Sequence, residues 1–227
     1  MSKNIIDPAT GLAFFTDMSQ HLKVQPNPRM LFFLDVATKY TGYAFFEINE
    51  VDPSIALLAG YGNFKAPGKD MNTRLRMMTS KISNIMHTIK PARLILEFPS
   101  YQGGDKGTNA ARSGGTLQLA RLCGRIETCW EYYLAMVWAH NGKANLESLE
   151  MIFAYAETLT FTKWNGQCTK KITCHRTEEF MGLKKDTLNS GGIENNWADA
   201  MMMGKWYLKD QLMIKAQFNP QVEQVDL

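Results

Sequence analysis

Long apolar runs are missing from this chain. No stretch of about 18 apolar residues occurs in its 227 residues, so no transmembrane helix is expected. Cysteine is sparse. Cys123, Cys129, Cys168 and Cys174 form no CxxC pair and match no zinc-finger spacing, which leaves buried free thiols as their expected state. The start, Met1-Ser2-Lys3-Asn4, carries no apolar h-region. Together these point to a reduced, soluble, cytoplasmic protein. Walker A and GxGxxG phosphate loops are absent too, which removes the simplest nucleotide-binding readings. Nor does one sign of charge dominate: 25 Lys and Arg against 22 Asp and Glu leave a net charge of +3. That balance permits nucleic-acid binding without arguing for it. Hydrophobic residues at 45% and aromatics at 11% suffice to bury the core of one sizeable domain.

The stretch that organises the chain runs from Met30 to Phe46. It reads as an apolar strand, a polar turn holding Thr38, Thr41 and Gly42, and a second apolar-aromatic strand, which together make a β-hairpin. Asp35 lies near the end of the first strand among Phe32, Phe33, Leu34 and Val36. A carboxylate in such a strand costs several kcal/mol unless it is hydrogen-bonded or holds a metal. Asp35 is therefore a candidate site residue; its structural alternative is to cap the turn.

Residues 1–29, with Pro8, Pro26 and Pro28, read as an N-terminal arm that packs on the domain or joins a dimer. Three antiparallel strands are expected at 30–36, 42–49 and 55–64. Over 70–90 the period changes, with Leu75, Met78, Ile82, Ile85, Met86 and Ile89 at helical spacing. Arg93–Pro99 is a fourth strand, again apolar and closed by a carboxylate, Glu97. A strand that follows a helix in this way belongs inside the sheet beside a parallel partner. The glycine-rich stretch 100–115, with Tyr101, Gln102, Lys106 and Arg112, is either a connector or a lid beside Glu97. A long helix is expected over 116–140, with Arg121 and Arg125 on a solvated face, and short elements at 151–153 and 159–162. Over 169–182 the pattern is helical, with Lys170 and Lys171 at its start. Cations there gain nothing from the helix dipole, so they either face phosphate or form a solvated patch. A last helix, rich in Ala and Met, opens after Asn195 and Asn196 and carries Asp199 in its first turn. Its methionines read as core filler. Residues 211–227 are a tail expected to fray from Asn219.

Asp35, Glu97 and Asp199 form an all-oxygen set suited to Mg²⁺ or Mn²⁺. Two such ions about 4 Å apart can activate water and stabilise the leaving oxygen of a phosphodiester. The ordered set of Leu34-Asp35-Val36-Ala37-Thr38, Thr41-Gly42-Tyr43-Ala44, Leu94-Ile95-Leu96-Glu97-Phe98-Pro99 and Asn196-Trp197-Ala198-Asp199-Ala200 resembles the RuvC-like branch of the RNase H-like nuclease superfamily, the Holliday-junction resolvases. The resemblance spans about residues 30–210. It implies an α/β, RNase H-like fold: a mixed five-stranded sheet, three antiparallel strands then parallel ones, flanked by helices. It further implies two Mg²⁺ or Mn²⁺ ions per site with Asp35 as the bridge, branched DNA such as a four-way junction as partner, and a homodimer. Catalytic roles carry onto Asp35, Glu97 and Asp199.

One position departs from the family. A fourth ligand, Asp or His, ordinarily stands three residues before the last Asp, and here that residue is Asn196. Either Asn196 serves as a weak ligand or Glu194 completes the site. Tyr101 matches the family's aromatic wedge, and Lys106, Arg112, Lys170 and Lys171 are the expected backbone contacts. Divergence from the cellular pattern, with the extra arm, also fits a viral or phage source. Three alternatives stay open: a non-catalytic junction- or DNA-binding member of the fold, another nuclease of the superfamily, and an actin-like ATPase or sugar kinase sharing the first phosphate loop.

Overall fold

The apolar run Leu31-Phe32-Phe33-Leu34 builds the central strand because both of its faces find a core. Phe32 and Leu34 point to one hydrophobic cluster and Leu31 and Phe33 to the other; all four are 2% exposed or less. The computed structural model describes residues 5–6, 13–14, 27–99, 114–141, 156–166, 168–188 and 195–227. Near the start, β1 (Ile5–Ile6) pairs antiparallel with β2 (Ala13–Phe14). The domain then runs β3 (Asn27–Asp35), β4 (Tyr40–Ile48), β5 (Ile55–Lys65), α1 (Met71–Ile89), β6 (Pro91–Glu97) and α2 (Gly115–Asn141). It continues with β7 (Glu157–Leu159), α3 (Phe161–Asn165), α4 (Lys170–Met181), α5 (Asn196–Leu212) and β8 (Lys215–Gln217).

The sheet order is β7-β6-β3-β4-β5-β8. β3, β4 and β5 are antiparallel neighbours, whereas β6 joins β3, β7 joins β6 and β8 joins β5 in parallel. The parallel placement of β6 follows from α1, which crosses over from β5, itself parallel to β3, to β6 on the other side of β3. Asp70 starts α1 by accepting from the Thr73 amide at 2.7 Å, and Lys90 ends it in the left-handed region just before Pro91. Helices α1 and α2 cover the face of Phe32, Phe45 and Leu94, and α5 covers the face of Phe33, Phe46 and Ile95. Rings interlock on both faces: Phe32 meets Phe45 at 4.7 Å between centroids and Phe33 meets Phe46 at 5.8 Å. Each such pair adds roughly 0.5–1.5 kcal/mol beyond its burial.

Two expectations need correction. Among the described residues the sheet has six strands rather than five, because β8 adds to the β5 edge. The tail is docked rather than frayed. The Tyr43 hydroxyl donates to the Val225 carbonyl at 2.6 Å, and the Asp226 carboxylate accepts from the Asn63 amide at 3.0 Å and pairs with Lys65 at 2.7 Å. Gly62 makes room for it, since a Cβ there would lie 1.8 Å from the Val225 carbonyl oxygen. The element expected at 151–153 lies outside the described residues. The 159–162 region resolves into the end of β7 and the start of α3. Cys123 and Cys174 are buried, Cys129 and Cys168 are half-buried, and all four are free thiols. Among the described residues no helix is long and apolar enough to cross a membrane.

Candidate active site

The site stands at one end of the sheet, where β3 and β6 finish side by side. Their parallel register pairs Leu34 with Leu96, so the next residue of each strand, Asp35 and Glu97, emerges at the same edge. The turn that follows β3 needs no carboxylate cap. Thr41 closes it, its Oγ1 accepting from the Ala37 amide at 3.1 Å and donating to the Ala37 carbonyl at 2.6 Å. Asp35, paired with Gly42 in the ladder, is thereby left to the site.

Helix α5 brings the third carboxylate. Its first turn locks onto the hairpin where the Asn196 Nδ2 donates to the Tyr40 carbonyl at 2.6 Å. Gly42 permits this approach, because a Cβ there would lie 2.1 Å from the Asn196 carbonyl carbon. Asp199, one helical turn further on, is 7% exposed.

These three groups feel one another. Burial, then the charges of Glu97 and Asp199, hold the Asp35 carboxyl well above the usual range, with Lys170 opposing. Burial, with Asp199 adding to it, pushes Glu97 up to about 7, against the pull of a hydrogen bond from Trp164 and the charge of Lys170. Burial raises Asp199 as well, with Lys170 and a hydrogen bond from Thr173 opposing. A buried trio of carboxyls with values raised in this way marks a candidate functional site.

Two neighbours supply part of the compensation, and the sequence did not disclose either role. Lys170, at the start of α4, was expected to face a DNA backbone. Its ammonium instead donates to Asp199 Oδ2 and, at 3.2 Å, to the Asn195 carbonyl. Trp164, on α3 and 6% exposed, donates its indole N–H to Glu97 Oε2 at 2.9 Å. Its sequence signal was an aromatic with a polar handle, which needs a partner once buried. Behind them, the Asn165 Nδ2 donates to Thr173 Oγ1 at 3.1 Å, which orients the hydroxyl beside Asp199.

Of the other candidates, Lys171 is exposed at the same helix start. Tyr101, Lys106, Arg112 and Glu194 lie outside the described residues. The Asn196 amide nitrogen is committed to Tyr40.

The donor set suits a hard divalent cation. It is all oxygen and net negative, and Asp199 Oδ1 is buried with no hydrogen-bond partner among the described residues. As the side chains stand, no group of three or more His, Cys, Asp or Glu among the described residues is arranged to hold an ion. Lys170 rests on Asp199, so its ammonium is the cation that faces this carboxylate.

The sequence matches no protein-family model and no curated protein. Among solved structures, the fold is similar to that of RuvC from Thermus thermophilus in complex with a Holliday junction substrate. That match has a TM-score of 0.52 and 12% identity, and covers 81% of this chain and 95% of that one. A second Thermus thermophilus RuvC structure gives 0.43 and 16%, over 79% of this chain and 95% of that one. The yeast mitochondrial Holliday junction resolvase gives 0.44 and 14%, over 86% of each chain. At such identities the likeness is one of fold, and the first match carries it: this chain has the RuvC-like form of the RNase H-like fold.

Proposed function

We propose that this protein is a metal-dependent, structure-selective endonuclease that hydrolyses phosphodiesters in branched DNA such as four-way junctions. The observation that carries the reading is the meeting of Asp35, Glu97 and Asp199 at one edge of a RuvC-like sheet, with a buried Asp199 oxygen that has no hydrogen-bond partner among the described residues. Divalent ions held by Asp35, Glu97 and Asp199, with Asn196 or Glu194 completing the set, would supply activated water and stabilise the departing 3′ oxygen.

The chain's own groups do the rest. Trp164 holds one oxygen of Glu97. Thr173 and the hairpin bond of Asn196 fix the approach of Asp199. Lys170 neutralises Asp199 and, if an ion took its place there, would be free to meet a phosphate oxygen. Tyr101, Lys106, Arg112 and Lys171 are assigned to the DNA. A homodimer would set two such sites against opposed strands.

The test is cleavage of a labelled four-way junction against linear duplex in Mg²⁺ or Mn²⁺, comparing wild type with Asp35→Asn. Paired symmetric nicks in the junction, lost in the variant while binding survives, are the expected result. Tight binding without cleavage in either metal would favour the second reading, a non-catalytic junction-binding protein. The commitments of Lys170 to Asp199 and of Asn196 to Tyr40 speak for that alternative. Neither binding nor cutting would overturn both readings.

A further inference from the structure

We infer that a second DNA-backbone contact surface begins at the hairpin turn of Lys39 and Tyr40 and runs through the β5–α1 corner to Lys69 and Arg76, where it takes a duplex arm. The inference rests on the branched-DNA reading and adds to it a surface apart from the basic residues assigned above.

The charge pattern is the first observation. From Lys65 to Ile89 the chain carries Lys65, Lys69, Arg74, Arg76 and Lys81 against Asp70 alone, although the whole protein has a net charge of only +3. The first turn of α1 holds no acidic residue, and Arg74 and Arg76 stand within its first two turns. Cations at that end oppose the helix dipole, so their placement serves something outside the helix.

Geometry is the second observation. The Ala66 amide donates to the Lys39 carbonyl at 3.0 Å, and Tyr40 sits opposite Lys65 in the β4–β5 ladder. The Lys81 ammonium donates to the Lys65 carbonyl at 2.8 Å, and the Arg74 guanidinium donates to the Gly68 carbonyl at 3.0 Å. The Lys39 ammonium stands 5.5 Å from the centre of the Tyr40 ring. These bonds gather the cations into one corner. The carboxylates present are already engaged, Asp70 as the α1 cap and Asp226 with Lys65.

Position is the third. The Tyr40 carbonyl accepts from Asn196, one turn before Asp199, so the corner starts at the rim of the carboxylate site. Beyond it, α1 exposes Asn72, Thr73, Arg76, Ser80 and Asn84, the cationic and small polar side chains that typically contact phosphates. An acidic protein surface would meet the cations, but a DNA arm leaving the site reaches them by continuity.

The experiment measures binding of a fluorescent four-way junction by anisotropy, from about 50 to about 200 mM salt, in an Asp35→Asn background. The test variant adds Lys39→Ala, Lys69→Ala and Arg76→Ala, all at exposed positions. A control of equal charge change adds Lys184→Ala, Lys209→Ala and Lys215→Ala, which follow α4, end α5 and open β8 away from the site. Circular dichroism confirms that both are folded. Each lost phosphate contact lowers the slope of log affinity against log salt by about 0.9, so the test variant should lose about 2.7. Its loss of affinity across that salt range should then be roughly 40-fold smaller than the parent's, with the control close to the parent. A test slope equal to the control's overturns this inference alone. An Asp35→Asn parent that does not bind the junction overturns the branched-DNA reading, and the inference with it.

Discussion

Gly42→Ala asks the most of the proposed architecture, because a single methyl group tests how the hairpin and α5 meet. The added Cβ would lie 2.1 Å from the Asn196 carbonyl carbon, 2.2 Å from its oxygen and 2.4 Å from the Trp197 nitrogen. All three are backbone atoms, so no rotamer change relieves the overlap. Either β4 shifts within the ladder it shares with β3 and β5, or the first turn of α5 backs away. The second route breaks the Asn196–Tyr40 hydrogen bond and moves Asp199 off the site. Overpacking of this kind costs typically about 1–3 kcal/mol, and contact with backbone rather than with a flexible side chain puts the cost near the upper end. For a protein of this size about 3 kcal/mol lowers the Tm by roughly 6–12 °C. The same substitution at Gly124, within α2, meets nothing within 4 Å of the new Cβ. There it should gain up to about 1 kcal/mol from helix propensity. Thermal unfolding of the two variants, followed by junction cleavage, makes the comparison. A Gly42→Ala protein as stable and as active as Gly124→Ala would refute the close approach of α5 to the hairpin.

Two other outcomes follow from the charges in the site. Burial holds the folded-state values of Asp35, Glu97 and Asp199 above their ordinary ones, Glu97 at about 7; the metal-free fold therefore keeps protons that the unfolded chain has released, and these groups lose stability as pH rises from about 5 to about 8. Burial of His87 lowers its value and works in the opposite sense, so the measurement is the difference in Tm between wild type and Glu97→Gln over that range, and a wild type that gains relative to the variant would contradict it. Removing the ammonium that rests on Asp199, by Lys170→Met, should tighten Mn²⁺ binding by about tenfold, or about 1.4 kcal/mol, in calorimetry; unchanged or weaker binding would show that Lys170 does not compete for the site.

Much of the molecule was legible in the chain because its signals are local. The run Leu31–Leu34 announces a strand buried on both faces, the period of Leu75, Met78, Ile82 and Met86 announces α1, and Pro91 marks the boundary before β6. The sixth strand was not legible. Lys215-Ala216-Gln217 has no β-branched or aromatic residue, and it pairs because the β5 edge is open beside it and the tail beyond is held by Tyr43 and Asn63. Within the site the same division holds, with a physical reason. Asp35 and Glu97 stood out because each breaks a local rule by closing an apolar strand with a charge, and Lys170 because a cation opens a helix. Trp164, Thr173, Asn165 and Thr41 break no local rule. Each is an ordinary residue in its own element, and its role exists only once the fold carries it across, as Trp164 is carried to Glu97 over 67 residues of sequence. A sequence therefore exposes the groups whose placement costs free energy and conceals the groups that offset the cost. Even for an exposed group it gives the anomaly without the partner: the lysine at the start of α4 was marked as facing an anion, and only packing of α4 on α5 made that anion the carboxylate of Asp199.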